Sequence, residues 1–223
     1  MSNYGVIFPI WKSHCAGDWK NYIHHDFVTG LGEGSLEREK YLNYLIQDYI
    51  FLIHFSRAWA LAVTKTDSPE EMRLCASVLN SLVNEEIQLH VETCLGEGLS
   101  EQEIFKSIEA PENIAYTRYV LDVGHRGDFI DLLAALAPCV MGYGEIGINS
   151  KSDKSSDNYA EWINVYSGKD YQKSCFDTAN LIDQAVKVRL GTNPESTNRW
   201  PALCQQFKQA TILERAFWDM ALR

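Results

Sequence analysis

Apolar residues recur at spacings of three and four along most of this sequence, and this period constrains the fold more than any other feature. Between Leu36 and Lys65, for example, the repeat runs through Tyr41, Leu45, Leu52 and Phe55. Such spacing places side chains on one face of an α-helix, whereas a half-buried strand requires strict alternation. Because no stretch has a convincing strand pattern, the sequence predicts an all-α fold.

The helical pattern covers nearly the whole chain and is interrupted only by short turn-forming stretches. A helix start is typified by Ser68, a capping residue that precedes Pro69 and two acidic residues. Further helices are predicted at about 8–22, 69–95, 100–109, 114–126, 128–150, 158–166, 170–190 and 200–222. Breaks are predicted at 29–34, 96–98, 124–127, 150–157 and 191–194. With no long linker or repeat, the 223 residues are predicted to form one helical-bundle domain over 1–223.

The charge balance limits the partners that this protein can bind. Thirty acidic and 20 basic residues give a formal net charge of −10, which repels nucleic-acid phosphates and anionic lipids. The longest uncharged apolar stretch lies between Asp131 and Glu145 and is shorter than the roughly 18 residues of a membrane span. The N-terminus lacks the features of a signal peptide. We therefore expect a soluble, cytoplasmic protein with no nucleic-acid or membrane partner.

The cysteine and histidine spacings do not indicate a metal or cofactor site. The six cysteines occur singly, without a CxxC pair, and are expected to be mostly reduced and buried. Glu85, Glu86 and His90 could suggest a metal, but a di-iron bundle requires two Glu-x-x-His motifs, and neither is present. The remaining histidines have no spacing that favours haem over capping or packing. No metal and no cofactor are predicted.

Asp48 is the first of three polar residues that interrupt an otherwise apolar helix face. No lysine or arginine occurs between Lys40 and Arg57, and the neighbouring residues are aromatic or aliphatic. The carboxylate therefore needs a partner from elsewhere or a ligand. Two interpretations stay open: a structural carboxylate bound to a Tyr or His of another helix, or a ligand-binding group.

Cys139 follows Pro138, which is expected to kink the helix or restart it. A cysteine near a new helix N-terminus would have a lowered thiol pKa and become a nucleophile. Gly142 and Gly144 are expected to leave open space nearby, with Tyr143 on the same face as the thiol. The alternative is a cysteine packed beside a kink.

Glu214 precedes Phe217 and Trp218, which follow at i+3 and i+4 on its own helix face. Aromatic surroundings disfavour the charged carboxylate and raise its pKa toward that of a general acid or base. The alternative is an ion pair with Arg215 or Arg118 at the surface.

At these three positions the chain resembles the TenA family, the thiaminase II or aminopyrimidine aminohydrolase group, whose members have the helical fold of haem oxygenase. The N-terminal part is similar to the family's HPF and GxGxGTL start and to its YxxQD helix. The order and spacing of the motifs make the resemblance specific. The stretches that carry it are His25 to Val28, Gly30 to Leu36, Tyr44 to Tyr49, Tyr116-Thr117, Leu133 to Cys139, Tyr143 to Gly147, Trp162 to Gly168 and Glu214 to Met220.

The resemblance implies an all-α bundle of the haem-oxygenase-like type that forms a homotetramer or homodimer. It implies hydrolysis of 4-amino-5-aminomethyl-2-methylpyrimidine, a fragment of damaged thiamin, to the hydroxymethylpyrimidine and ammonia, with cleavage of thiamin as a further activity. Cys139 matches the family's nucleophile, Glu214 its proton-transferring carboxylate and Asp48 its pyrimidine-holding carboxylate. The aromatic residues expected at the substrate are Tyr49, Phe51, Tyr116, Tyr143, Tyr166 and Phe217.

The chain departs from the family pattern at several pocket positions. Phe51 stands where the family often has a tyrosine, so its hydroxyl is either missing or supplied by Tyr49. Val140 and Met141 replace an aromatic pair, and Gly144 replaces another aromatic, which predicts a roomier pocket. The competing functional interpretations are a non-catalytic pyrimidine- or thiamin-binding protein and a different enzyme, such as an oxidase or a haem enzyme, on the same fold.

Overall fold

A computed structural model describes residues 4–151 and 157–223 of the chain, and within these ranges the secondary structure is helical with no strand. The helices in chain order are α1 Ile7–His14, α2 Ala16–Ile23, α3 Asp26–Glu33, α4 Arg38–Thr64, α5 Pro69–Ser81, α6 Ile87–Gly96, α7 Glu101–Phe105, α8 Pro111–Arg126, α9 Phe129–Ser150, α10 Ala160–Ser167, α11 Lys169–Leu190 and α12 Trp200–Ala221. A π-helical segment, Leu82–Glu86, joins α5 to α6.

Helix α9 lies at the centre of the bundle and packs against α8, α10, α11 and α12. Every residue from Phe129 to Gly147 is buried, as expected for a helix that is apolar on all sides. Its start is fixed by Asp128, whose carboxylate accepts hydrogen bonds from the Ile130 and Asp131 amides in a capping box. The all-α prediction is confirmed, and α9 supplies the rigid element around which the site is built.

Helix α9 also has the length and composition of a membrane-spanning helix, with a mean hydropathy of 1.5 over an 18-residue window. The sequence-based estimate missed this because it counted only the uncharged residues between Asp131 and Glu145. In the structure 94% of that window is buried inside the bundle. Such burial is typical of the core helix of a protein that packs on itself.

Several predicted boundaries were wrong, and in each case tertiary packing overrides a local signal. The helix predicted over 8–22 is broken at Cys15 into α1 and α2. The glycine-rich break predicted at 29–34 is instead the last part of α3, held by buried Phe27 and Leu31. That helix ends at Gly34, whose φ of 74° is the left-handed conformation that glycine adopts readily.

Other boundaries differ in the same way. The helix predicted over 100–109 ends at Phe105, and α8 begins at Pro111, three residues before the predicted start, although it ends at Arg126 as predicted. The start at Ser68 is confirmed, with its hydroxyl accepting from the Glu71 amide. The predicted helix 69–95 is interrupted by the π-helical segment, which the spacing did not indicate. The predicted break 150–157 falls largely at 152–156, outside the described residues.

Helix α9 passes through Pro138 without restarting, so of the two predicted outcomes, a kink or a restart, the restart was wrong. Proline lacks an amide hydrogen, so only the Ala134 carbonyl loses its partner inside the helix. Cys139 therefore lies in the interior of a continuous helix, and the thiol has no free helix N-terminus beside it. This removes the expected cause of a lowered thiol pKa.

Candidate active site

A cavity of about 550 Å³ opens between α4, the π-helical segment, α9 and the α10–α11 connection. Four residues that the sequence singled out line it directly: Asp48, Phe51, Cys139 and Tyr143. Its other walls include Leu52, Phe55, Leu82, Glu86, Val140 and Tyr171, with Glu85, Gln88, Glu92 and Asp170 farther out. The cavity is of the size of a small-molecule site and brings predicted site residues of two helices, α4 and α9, together.

The Cys139 thiol is only 8% exposed and is a protonated thiol rather than a thiolate. Burial raises its pKa well above the usual value, and the carboxylates of Glu214, Glu86 and Asp48 raise it further. The expectation of a lowered thiol pKa was therefore wrong. Attack by this sulfur requires a group that removes the thiol proton when substrate is present.

Glu214 projects from α12 toward the same point. Its Oε1 accepts a hydrogen bond of 2.7 Å from the Tyr116 hydroxyl, and its carboxyl group lies near enough to the Cys139 thiol and the Tyr22 hydroxyl for both groups to influence its pKa. Burial raises the pKa of Glu214 to about 8, against the opposing effect of the Tyr116 hydrogen bond. The carboxyl group is thus mostly protonated at neutral pH and suited to proton transfer.

The surface ion pair considered for Glu214 is not formed. Glu214 is 2% exposed, whereas Arg118 pairs with Glu109 and Arg215 lies beside Asp219. The raised pKa expected from the aromatic surroundings has the predicted direction.

Asp48 lies in a buried hydrogen-bond network with His90 and Tyr44. Its Oδ2 is 2.7 Å from His90 Nε2 and accepts from the Tyr44 hydroxyl at 3.0 Å. His90 Nδ1 lies 2.9 Å from the Glu86 carbonyl oxygen. Because both partners of the ring are acceptors, both ring nitrogens carry hydrogen and the ring is an imidazolium.

The electrostatics agree with that assignment. Burial alone lowers the pKa of His90, but the hydrogen bond and charge of Asp48 outweigh it and raise the pKa above the usual value. The structural interpretation of Asp48 is confirmed, because Asp48 binds a histidine and a tyrosine. Asp48 also lines the cavity, which is the position that a ligand-binding group requires.

Glu86 ends the π-helical segment and faces the cavity, with Oε1 accepting from the Tyr166 hydroxyl at 2.7 Å. Single π-helical turns inside α-helices are frequent at functional sites because they displace one residue from the helix register. Burial raises the pKa of Glu86, while the nearby charge of His90 opposes that shift.

Aromatic side chains form the rest of the site. The Phe51 ring lies 5.0 Å from Tyr116 and 5.6 Å from Phe217, measured between ring centroids. Tyr143 packs at 5.0 Å against Tyr166, whose hydroxyl holds Glu86. Tyr116, Tyr166 and Phe217 thus stand behind the residues that line the cavity.

Tyr49 is the one predicted site residue that the structure places elsewhere. Its ring packs against Phe105, with centroids 5.5 Å apart, and it does not line the cavity. Asp48 and Phe51 are three residues apart on α4 and share the face toward the cavity, whereas Tyr49 lies one residue from Asp48 and two from Phe51 and points in another direction. The suggestion that Tyr49 supplies the missing hydroxyl was wrong.

The small residues of α9 do not leave space, contrary to expectation. A Cβ atom on Gly142 would lie 2.3 Å from the Tyr22 ring, and one on Gly144 would lie 2.6 Å from Cys175 Sγ. Both glycines are therefore sites of close packing. Val140 lines the cavity, but Met141 is fully buried in the core.

Sequence reasoning missed three residues of this site: Tyr22, Glu86 and His90. In the sequence, His90 and Glu86 indicate at most a metal site. The one available signal is that a histidine of another helix is an expected partner for Asp48. No local signal marked Tyr22. Among the residues that the structure describes, no group of three or more His, Cys, Asp or Glu side chains could hold a metal ion.

Fold and site together define a helical protein of the haem oxygenase-like type with a buried cysteine, a carboxyl group and aromatic rings around one cavity. The profile of the TENA/THI-4/PQQC family matches residues 13–223. The chain belongs to this family.

Individual relatives are similar over nearly their whole length. An uncharacterized protein of Haemophilus influenzae is 38% identical, with 92% of this chain and 93% of that protein covered. The aminopyrimidine aminohydrolase of Halalkalibacterium halodurans is 32% identical, with 91% and 89% covered. A solved structure from Silicibacter sp., described as a TenA family transcription regulator, is 50% identical with a TM-score of 0.96, covering 98% of this chain and 97% of that one.

Proposed function

We propose that this protein is an aminopyrimidine aminohydrolase of the thiaminase II type. It hydrolyses 4-amino-5-aminomethyl-2-methylpyrimidine to the hydroxymethylpyrimidine and ammonia, and it cleaves thiamin as a second substrate. The observation that carries the proposal is the convergence of three side chains: Asp48 and Cys139 line one cavity, and the buried Glu214 carboxyl group lies near enough to the Cys139 thiol to influence its pKa. The similarity to the Halalkalibacterium halodurans enzyme supports the same reaction.

Substrate binding uses Asp48 and the aromatic wall. Asp48 Oδ2 is occupied by His90 and Tyr44, which leaves Oδ1 to accept hydrogen bonds from the exocyclic amine or a protonated ring nitrogen of the pyrimidine. Stacking of the ring on Phe51 or Tyr143 adds about 0.5–1.5 kcal/mol beyond the burial of apolar area. Together these contacts hold the ring so that attack by sulfur is effectively unimolecular.

Glu214 links the two proton transfers that the addition needs. It gives its proton to a ring nitrogen, and the resulting carboxylate takes the Cys139 thiol proton as the sulfur bonds to a ring carbon. The net result is movement of one proton from sulfur to ring nitrogen, so no additional charge is buried. This sequence fits a neutral thiol beside a carboxyl group whose pKa is about 8.

The adduct then loses the amine and gains water. The electron pair of the adduct's ring forms a double bond to the exocyclic carbon as the bond from that carbon to the protonated amine breaks, and that bond's electrons leave with ammonia. Water adds its oxygen to the exocyclic carbon and gives its proton to the ammonia. Departure of sulfur, with return of the ring proton through Glu214, completes the cycle.

Two other functions are less well supported by these observations. The Silicibacter relative is described as a transcription regulator, but a net charge of −10 here opposes binding to DNA phosphates. A non-catalytic pyrimidine carrier would need Asp48 and the aromatic wall, but not a cysteine near a carboxyl group.

The predicted homotetramer, or homodimer, and the cytoplasmic location stay part of the proposal. Light scattering on the purified chain measures the assembly directly, and a mass of four chains of 25.4 kDa is the expected result.

The deciding experiment measures ammonia release and product mass from the aminomethylpyrimidine, and product mass from thiamin. Wild type, Cys139→Ala and Cys204→Ala are compared, because Cys139 and Cys204 are equally buried at 8% and 7% exposure. We expect turnover by wild type and Cys204→Ala and none by Cys139→Ala. Tight binding of both compounds without turnover by wild type would favour the carrier instead.

A further inference from the structure

Glu86 presents a carboxylate oxygen to the cavity that no described residue occupies. Tyr166 donates to Oε1, and Oε2 receives no hydrogen bond from the residues that the structure describes. The side chain is largely buried beside Tyr166, so an ionised carboxylate here has lost much of its hydration. A ligand that donates a hydrogen bond and carries positive charge would restore what burial removes.

Among the described residues that line the cavity, acidic side chains supply negative charge and no lysine or arginine supplies positive charge. Asp48 and Glu86 both lie close enough to Cys139 to influence its thiol. Among the described residues, His90 is the only basic group in contact with these acids, and it is already bound to Asp48 Oδ2 and to the Glu86 carbonyl oxygen. The Glu86 carboxylate, unlike that of Asp48, therefore has no positively charged hydrogen-bond partner among the described residues. A bound ligand has to supply that positive charge.

We propose that Glu86 binds the protonated amine that leaves the substrate, which makes it a specificity-determining residue at the leaving-group end of the cavity. The proposal rests on the proposed function. Asp48 and Glu86 are joined through His90 but lie on different elements, α4 and the π-helical segment. One carboxylate thus holds the pyrimidine ring and the other holds its aminomethyl substituent.

The π-helical segment explains why Glu86 and not its neighbour has this position. Glu85 is exposed, and it lies at the cavity rim without a hydrogen bond that fixes it among the described contacts. Glu86 is turned inward and anchored to Tyr166. Glu70, an exposed carboxylate of α5 that does not line the cavity, is the control of the same charge.

The reaction balances with Glu86 in this position. The substrate ammonium loses its bond to carbon, the bonding pair stays on nitrogen, and ammonia departs. Water provides the hydroxyl group of the product, and its proton joins the ammonia to give ammonium. Glu86 neither gains nor loses a proton overall, so its contribution is to bind and orient the ammonium.

Thiamin provides a built-in comparison, because its leaving group is a thiazolium nitrogen that carries no N–H. That cation can be attracted by Glu86 but cannot donate a hydrogen bond to it. Glu86→Gln keeps the acceptor for Tyr166 while removing the charge. We expect this variant to lower kcat/KM for the aminomethylpyrimidine about 100-fold and for thiamin less than about 10-fold, with Glu70→Gln close to wild type for both.

Binding to the unreactive Cys139→Ala protein tests the same contact without turnover. Calorimetric titration compares the aminomethylpyrimidine with the hydroxymethyl product, which lacks the cation. Adding Glu86→Gln is expected to weaken the first by about 100-fold and the second by less than about 3-fold.

Equal losses for both ligands, or for both substrates, would overturn the assignment of Glu86. Failure of wild type to turn over either substrate would instead reject the proposed function. In that case the titration still decides about Glu86, since selective weakening supports ammonium recognition and absence of selectivity or of binding contradicts it.

Discussion

His90 Nε2 lies 2.7 Å from Asp48 Oδ2, and the opposite nitrogen of the same ring lies 2.9 Å from the Glu86 carbonyl oxygen. One imidazolium thus fixes a carboxylate of α4 and the end of the π-helical segment relative to each other. The positions of Asp48 and Glu86 in the cavity depend on this contact. Asp48 on its own would be a buried anion with only a tyrosine hydroxyl as donor.

Replacement of His90 by glutamine leaves the Asp48 charge without its cation. We expect a loss of about 3–5 kcal/mol in the free energy of unfolding, as for other broken buried ion pairs, together with a raised KM for the aminomethylpyrimidine. Urea denaturation and steady-state kinetics measure the two effects. His54→Gln, which alters a histidine near Arg57 and Arg118 outside the cavity, is the control and should change neither value appreciably.

The stability difference between wild type and His90→Gln should also depend on pH. The folded-state pKa of His90 lies above its ordinary value of 6.5. The stabilisation is therefore complete below the unfolded pKa and is lost as pH rises through the folded pKa. Denaturation at several pH values from 5 to 9 would contradict the ion pair if the difference stayed constant.

Glu214→Gln removes the group proposed to relay the proton. We expect kcat to fall about 10²–10⁴-fold, which is the usual contribution of a positioned acid or base. In wild type the rate should decline as pH rises through about 8, because Glu214 then loses the proton it must donate. The variant should lack that decline. A retained alkaline limb, or full activity with Glu214→Gln, would exclude the relay, and Asp219→Asn on the exposed part of the same helix serves as control.

Tyr116→Phe tests the hydrogen bond that tunes Glu214. The Tyr116 hydroxyl donates to Glu214 Oε1 at 2.7 Å and lowers the carboxyl pKa relative to burial alone. Loss of the hydroxyl raises that pKa, so the alkaline limb should move to higher pH. Tyr119→Phe, which changes a hydroxyl bound to the Gln206 carbonyl, should leave the profile in place. A shift of the alkaline limb toward lower pH would contradict the proposal that this hydrogen bond lowers the pKa of Glu214.

The sequence was sufficient to predict the all-α fold, since the period of three and four is visible without tertiary information. It was also sufficient to single out Asp48, Cys139 and Glu214, because a polar residue on an apolar face needs a partner or a ligand. These three residues come from α4, α9 and α12, and the structure places Asp48 and Cys139 at the cavity and Glu214 near enough to the thiol to influence its pKa.

What the sequence could not predict depends on neighbours that are distant along the chain. Pro138 predicts a restart by local rules, but burial of α9 on all sides keeps the helix continuous. Gly142 leaves open space only if no other helix fills that space, but the Tyr22 side chain of α2 fills it. The direction of the Cys139 pKa shift could not be predicted for the same reason. It depends on burial within the bundle and on Glu214 and Glu86, which lie on other elements.

Gly142 offers a test of this packing that is independent of the chemistry. An alanine Cβ there would lie 2.3 Å from the Tyr22 ring, and that ring cannot retreat because Trp19 and Trp218 pack on it. We expect Gly142→Ala to lower the free energy of unfolding by about 1–3 kcal/mol, as in other overpacked cores.

Gly17→Ala in α2 is the matched control, because nothing lies within 4 Å of its Cβ position and alanine favours a helix by about 0.5–1 kcal/mol. The two substitutions should therefore change stability in opposite directions, as measured by urea denaturation. Gly142→Ala should also reduce turnover, since the Tyr22 hydroxyl lies near enough to the Glu214 carboxyl group to influence its pKa. An unchanged or increased stability of Gly142→Ala would mean that α2 and α9 can separate, and the close approach of Tyr22 to Glu214 would then not be a fixed feature of the site.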